Sequence, residues 1–156
     1  MKKRWLPLLA MLSLPCLAAP VLEVQTSQQC PWHSKDAGVK LVQRAADWQA
    51  LFPFDAAAAD AVFLQPLDWS RQLVVIATLG ARPGGGYSLT LQRSRFSQGS
   101  LSLYVRELKP ATGAINTLAL SEPCALLRVQ RKGLRQVRVL DADNNRLLNK
   151  IQLARP

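Results

Sequence analysis

Two hydrophobic patterns meet in the middle of the chain. Leu73-Val74-Val75-Ile76-Ala77-Thr78-Leu79 is an almost continuous apolar run, whereas Tyr87-Ser88-Leu89-Thr90-Leu91-Gln92 alternates strictly between apolar and polar residues. The run suits a strand covered on both faces, although a short buried helix has the same periodicity. The alternating segment suits a strand with one face on a core. Similar patterns predict strands over Val21-Leu22-Glu23-Val24, Val39-Lys40-Leu41-Val42, Leu101 to Arg106, Thr117-Leu118-Ala119-Leu120 and Pro123 to Val129. Gln136 to Leu140, the polar stretch Asp141-Ala142-Asp143-Asn144-Asn145 and Arg146 to Leu153 read together as a hairpin over 136–153. Trp48, Leu51 and Phe52 stand at i, i+3 and i+4, the spacing of an amphipathic helix, which Pro53 stops. Asp55 to Leu64 is alanine-rich, a second short helix or a loop.

These elements predict a β-rich α+β domain: a mostly antiparallel sheet curled toward a barrel or sandwich, with one or two short helices. Its unusual feature is the connection between the two central strands, Gly80-Ala81-Arg82-Pro83-Gly84-Gly85-Gly86-Tyr87. Three successive glycines free the backbone to take positive φ and remove every Cβ from one patch, so either the chain turns tightly or something lies close to it. One reading is a strand connection whose glycines serve turn geometry while Tyr87 packs inward. The other is a rim loop that presents bare backbone to a partner through Arg82, Pro83, Gly84, Gly85, Gly86 and Tyr87, arginine and tyrosine being favoured at interface centres.

The N-terminus changes the compartment. Met1-Lys2-Lys3-Arg4 is a basic lead, and Trp5 to Leu14 is an apolar segment too short to span a bilayer. Residues 1–18 therefore read as a signal peptide cleaved after Ala18, leaving one domain over 19–156 that is exported to the periplasm. The competing lipoprotein reading would lipidate Cys16, but Ser13-Leu14-Pro15 lacks the small residue wanted before that cysteine. The formal charge of +10 falls to +7 without Lys2, Lys3 and Arg4. The remaining cations are scattered and favour anionic partners such as envelope polymers or an acidic protein. A secreted chain with no aromatic-basic module argues against nucleic acid. Cys30 and Cys124 are the cysteines left after cleavage, and in an oxidising compartment they most simply form a disulfide. The sharper alternative, a catalytic thiol, would have to use His33.

Candidate chemistry thins out quickly. A Ser-His-Asp arrangement would also depend on His33, the single histidine, so no catalytic residue is assigned. Gly80 and Gly85 have the spacing of a phosphate-binding loop, yet Gly86-Tyr87 stands where Lys-Ser/Thr belongs. Asp141, Asp143 and Asn145 open like a calcium loop, but Arg146 and Gln152 occupy the positions that need glycine and glutamate. Two cysteines and one histidine make no zinc set. Neither a metal nor a cofactor is expected.

The order of these signals resembles the PrcB family, named for a subunit of a bacterial surface protease complex, and in particular its C-terminal domain. Asp47-Trp48 lies on the early helix and Asp68-Trp69 enters the apolar strand. Gly80 to Leu89 is similar to a Gly-x-x-Pro-x-Gly-Gly-Tyr-Ser pattern, followed by Glu107 to Gly113 as Glu-x-x-Pro-x-x-Gly and by Pro123-Cys124 before the last matching strand. The resemblance runs from about Ala45 to Gln130. It implies a non-enzymatic accessory protein that associates with a protein partner, with an exported protease as the model. A secreted protease inhibitor and a basic envelope-polymer-binding module are the alternatives.

Overall fold

The computed structural model describes residues 20–154. The signal-peptide reading of 1–18 and the lipidation reading of Cys16 fall outside the described residues. In chain order the elements are β1 (Val21–Ser27), β2 (Gly38–Val42), α1 (Ala45–Gln49), α2 (Ala56–Ala61), β3 (Gln72–Thr78), β4 (Ser88–Ser97), β5 (Ser100–Leu108), β6 (Cys124–Gln130), β7 (Gln136–Asp141) and β8 (Leu147–Gln152). They form two four-stranded sheets, ordered β1-β6-β3-β2 and β4-β5-β7-β8. Every described ladder is antiparallel except β5 with β7. That exception follows from connectivity: after β5 the chain crosses to the first sheet as β6 and returns as β7, so two reversals restore the direction.

The sheets pack face to face. Leu73, Val75 and Ala77 of β3, Leu101, Leu103 and Val105 of β5, Leu127 and Val129 of β6, and Val137 and Val139 of β7 fill one core between them. β1 lies beside β4 and β2 beside β8, where Asn149 Nδ2 donates to Ala37 O at 3.0 Å. No hydrogen-bonded ladder joins the described sheets, so of the two predicted alternatives the molecule is a sandwich and not a closed barrel.

The apolar run is a strand, and its pattern has a plain cause. The alternate residues Val74 and Ile76 face away from the other sheet into a second core with Trp48, Ala59, Phe63 and Leu126. The helices cover that outer face, so both sides of β3 are dry. The predicted amphipathic helix is shorter than its pattern: α1 ends at Gln49, and Leu51 and Phe52 follow in tighter turns, their N–H groups donating to Trp48 O and Gln49 O. Residues 55–64 resolve in favour of the second helix, with the Asp55 side chain accepting from Ala58 N at 3.1 Å as its cap. The predicted strand at Thr117–Leu120 does not form. That segment is an exposed loop.

The β4–β5 hairpin turns at Gln98 and Gly99, both at positive φ (50° and 78°), as a two-residue turn matched to strand twist requires. At the β7–β8 turn, Asp141 Oδ1 accepts from the backbone N–H groups of Asp143 and Asn144. Its acidic spacing thus serves turn geometry.

Asp68 fixes the entry to β3. Its carboxylate accepts from the Ser70 hydroxyl at 2.5 Å, the Ser70 N–H at 3.1 Å and Arg71 Nε at 2.6 Å. The Ser70 hydroxyl and then Arg71 hold its pKa down from 3.8 to about 2. A depressed carboxyl contributes stability that is present above its unfolded value near 4 and is lost as pH falls through about 2. Asp68→Asn should therefore flatten part of the acid limb of stability between about pH 4 and pH 2. An NMR titration of the Asp68 carboxyl with a midpoint near 4 would refute this account.

Candidate functional site

The glycine loop begins where β3 leaves the core. Thr78 Oγ1 donates to Pro123 O at 3.1 Å and accepts from Gly80 N at 3.0 Å. Gly80 has φ +87°, and a Cβ there would stand 2.3 Å from the carbonyl oxygen of Lys35. Here the glycine is required twice over, by conformation and by close approach.

Beyond Gly80 the loop is laced to the chain's own segment 116–121. Arg82 and Ser121 exchange backbone hydrogen bonds of 2.7 and 3.1 Å, Gly85 N donates to Thr117 O at 3.0 Å, and Ser121 Oγ donates to Gly84 O at 2.6 Å. A Cβ at Gly85 would lie 2.5 Å from Thr117 Oγ1, and one at Gly86, whose φ is +80°, 2.5 Å from Asn116 Oδ1. The stripped backbone is therefore approached from inside the molecule, by residues 116–117.

The six residues singled out in the sequence lie together at one end of the sandwich but differ in access. Pro83 and Gly86 are exposed, while Arg82, Gly84, Gly85 and Tyr87 are half-buried. The Arg82 guanidinium is engaged inside the molecule: its Nε pairs with Glu107 on β5 and its Nη1 donates to Leu79 O at 3.0 Å and Ala81 O at 3.1 Å. A substitution at Arg82 consequently reports on the architecture of the loop as well as on any contact made through it.

What the glycine loop braces is more accessible than the loop itself. Residues 111–120 are all exposed, and Ile115, Leu118 and Leu120 keep 103%, 96% and 68% of their surface in water, while Leu108, the last residue of β5, keeps 46%. Scattered exposed leucines are ordinary, but three large aliphatics within six residues of one loop are not. The far foot of this loop is pinned. Glu122 N donates to Gln28 O at 2.9 Å, Cys30 N donates to Glu122 O at 3.0 Å, and Cys30 and Cys124 are disulfide-bonded with Cα atoms 5.5 Å apart. The loop is thus an apolar tip on a fixed base.

The bond between Cys30 and Cys124 removes the catalytic-thiol alternative, since neither sulfur is free to attack. His33 is exposed, its Nδ1 lies 2.5 Å from Glu122 Oε2, and Glu122 belongs to the foot of the loop. Among the described residues no three His, Cys, Asp or Glu side chains cluster as metal ligands.

Sequence reasoning missed Ile115, Leu118 and Leu120 as surface residues. Leu118 and Leu120 alternate like strand residues, and nothing local marks an apolar side chain as solvent-facing. Loop 109–120 takes in most of the Glu-x-x-Pro-x-x-Gly segment (Glu107 to Gly113) and runs on toward Pro123-Cys124, inside the stretch that carries the resemblance.

No curated protein and no solved structure matches the chain. Residues 73–130, which run from β3 through the glycine loop, the β4–β5 hairpin and loop 109–120 to β6, match the family model described as PrcB C-terminal, the family that the glycine-tyrosine loop resembles.

Proposed function

We propose that this chain is a non-enzymatic, exported accessory protein that binds a protein partner with the apolar tip of loop 109–120, held in place by the glycine loop. The observation that carries the reading is the near-complete exposure of Ile115 and Leu118 on a base fixed by the Arg82–Ser121 pairing and the Cys30–Cys124 bond. Exposing them to water costs on the order of 1.5–3 kcal/mol per side chain relative to burial, and an interface recovers that. A fixed base lowers the ordering cost of binding. The family resemblance supplies the class of partner: the subunit for which it is named works in a protease complex, so an exported protease is the first partner to test.

The test is crosslinked capture from the native envelope, comparing wild type with Ile115→Ser/Leu118→Ser. The double variant removes apolar groups that touch little else, so its melting curve should be unchanged while a specifically captured partner is lost by about tenfold or more. Equal recovery of that partner by the double variant would overturn the proposal.

One observation favours the inhibitor as a second reading. Segment 114–120 is exposed yet hydrogen-bonded to the glycine loop, through Thr117 to Gly85 and through the buried Ser121 at its foot to Arg82, an arrangement suited to occupying a protease cleft. Activity separates the two: an accessory subunit preserves or raises the activity of its protease, and an inhibitor abolishes it with increasing dose.

A further inference from the structure

The second sheet has an outer face on which no described helix or sheet packs. Its inner side is the core, and the helices lie on the other sheet. The register puts Arg95 of β4 opposite Ser102 of β5, Ser102 opposite Arg138 of β7, and Arg138 opposite Lys150 of β8. All four alternate with core residues (Phe96, Leu101 and Leu103, Val137 and Val139, Ile151) and so lie on the outer side of the sheet, Arg95 and Lys150 exposed, Arg138 half-buried and Ser102 buried at 9%. Three strand spacings of about 4.8 Å make this a straight row about 14 Å long, carrying three cations.

Charge makes the row unusual. Arg138 and Lys150 are direct cross-strand partners, a like-charge placement that destabilises a sheet. None of the three cations has an acidic partner among the described residues. The acids of this sheet are Glu107, which is taken by Arg82, and Asp141 and Asp143 in the β7–β8 turn, where Asp143 is taken by Arg106. Two residues further along, the outward row is Ser97, Ser100, Gln136 and Gln152, all hydroxyls and amides.

We infer that this face binds an acidic polysaccharide, the arginines and lysine holding its acidic groups and the amide and hydroxyl row holding sugar hydroxyls. Charge complementarity requires an anion, and the neighbouring polar row selects among anions. A lipid surface calls for exposed apolar groups to insert, but Leu140 on this face is buried and Leu147 is only 44% exposed. Single-stranded nucleic acid calls for an open aromatic face, but Tyr104 is capped by the Arg93 guanidinium 4.0 Å from its ring centre. From Ser102 the face lies about 20 Å along β5 from Leu108, where loop 109–120 begins, so a glycan and a protein partner bind without competing.

The experiment measures binding of the purified chain to immobilised polygalacturonate, with neutral dextran, poly-glutamate and phosphatidylglycerol vesicles in parallel at low salt. Wild type should bind polygalacturonate and not dextran. Arg95→Ser/Arg138→Ser/Lys150→Ser should lose roughly 100-fold in affinity, on the order of fivefold per cation, and should fold at least as stably because it removes a like-charge pair. Lys35→Ser/Lys109→Ser/Lys132→Ser, with the same net charge, should lose far less. Gln152→Ala should weaken binding to polygalacturonate and leave any poly-glutamate binding unchanged. Failure of wild type to bind polygalacturonate, equal losses in the two triple variants, or stronger row-dependent binding to vesicles or poly-glutamate would each overturn the inference.

Discussion

Trp48→Ala should destabilise the domain by about 3–5 kcal/mol, a large share of the 5–15 kcal/mol typical of a whole domain. The indole is 2% exposed and sits at the centre of the second core. It meets Phe52 edge-on, with ring centres 5.0 Å apart, and lies over Phe63 at 6.0 Å. Its Nε1–H donates to Ala59 O at 3.0 Å and so ties α1 to α2. Alanine would leave a void that α1, five residues long, cannot close without abandoning the sheet. Trp48→Phe separates the two contributions: most of the volume returns, but the Ala59 carbonyl loses its donor, a cost of about 1–3 kcal/mol. Urea denaturation of both variants checks this. A loss below about half a kcal/mol for Trp48→Ala would mean that the helices do not brace β3.

The same residues show which parts of the fold local sequence carries. Leu73 to Leu79 announces a strand covered twice, because burial on both faces leaves no polar alternation. It cannot say that a second sheet covers one face and Trp48 with Phe63 the other, since those contacts join distant segments. Leu118 illustrates the opposite failure. Alternation predicts a half-buried strand wherever apolar residues recur at period two, yet a strand also needs a neighbour, and 117–120 has hydrogen-bonding neighbours only at its ends. The glycines announced close approach but not its source, which proved to be Asn116 and Thr117. The basic row was illegible for a third reason. Arg95, Arg138 and Lys150 are spread over 56 positions and align only through the parallel β5–β7 pairing, which connects segments that no turn signal links.

Breaking the Cys30–Cys124 bond should cost about 4–5 kcal/mol on the chain-entropy estimate, because the two cysteines are 94 residues apart and the crosslink restricts a long loop of the unfolded chain. Both residues are buried, at 3% and 0% exposure, against Trp48 and Ile76 in the second core. Replacement by alanine at both positions therefore avoids burying unpaired hydroxyls, as serine would. The effect should reach the apolar loop before the core. Without the bond, the arm from Gln28 to Cys30 is held to the foot of the loop by the two backbone hydrogen bonds at Glu122 and by the Gln29 side chain, whose Nε2 donates to Leu120 O at 3.2 Å. Segment 116–123 then opens at lower denaturant than β3 and β6, and its amides exchange faster in the double-alanine variant. Without reductant, neither cysteine of the folded chain should take up a thiol label. Labelling of both under those conditions, or a loss of less than about 1 kcal/mol on breaking the bond, would show that the loop's base is held by something other than this crosslink.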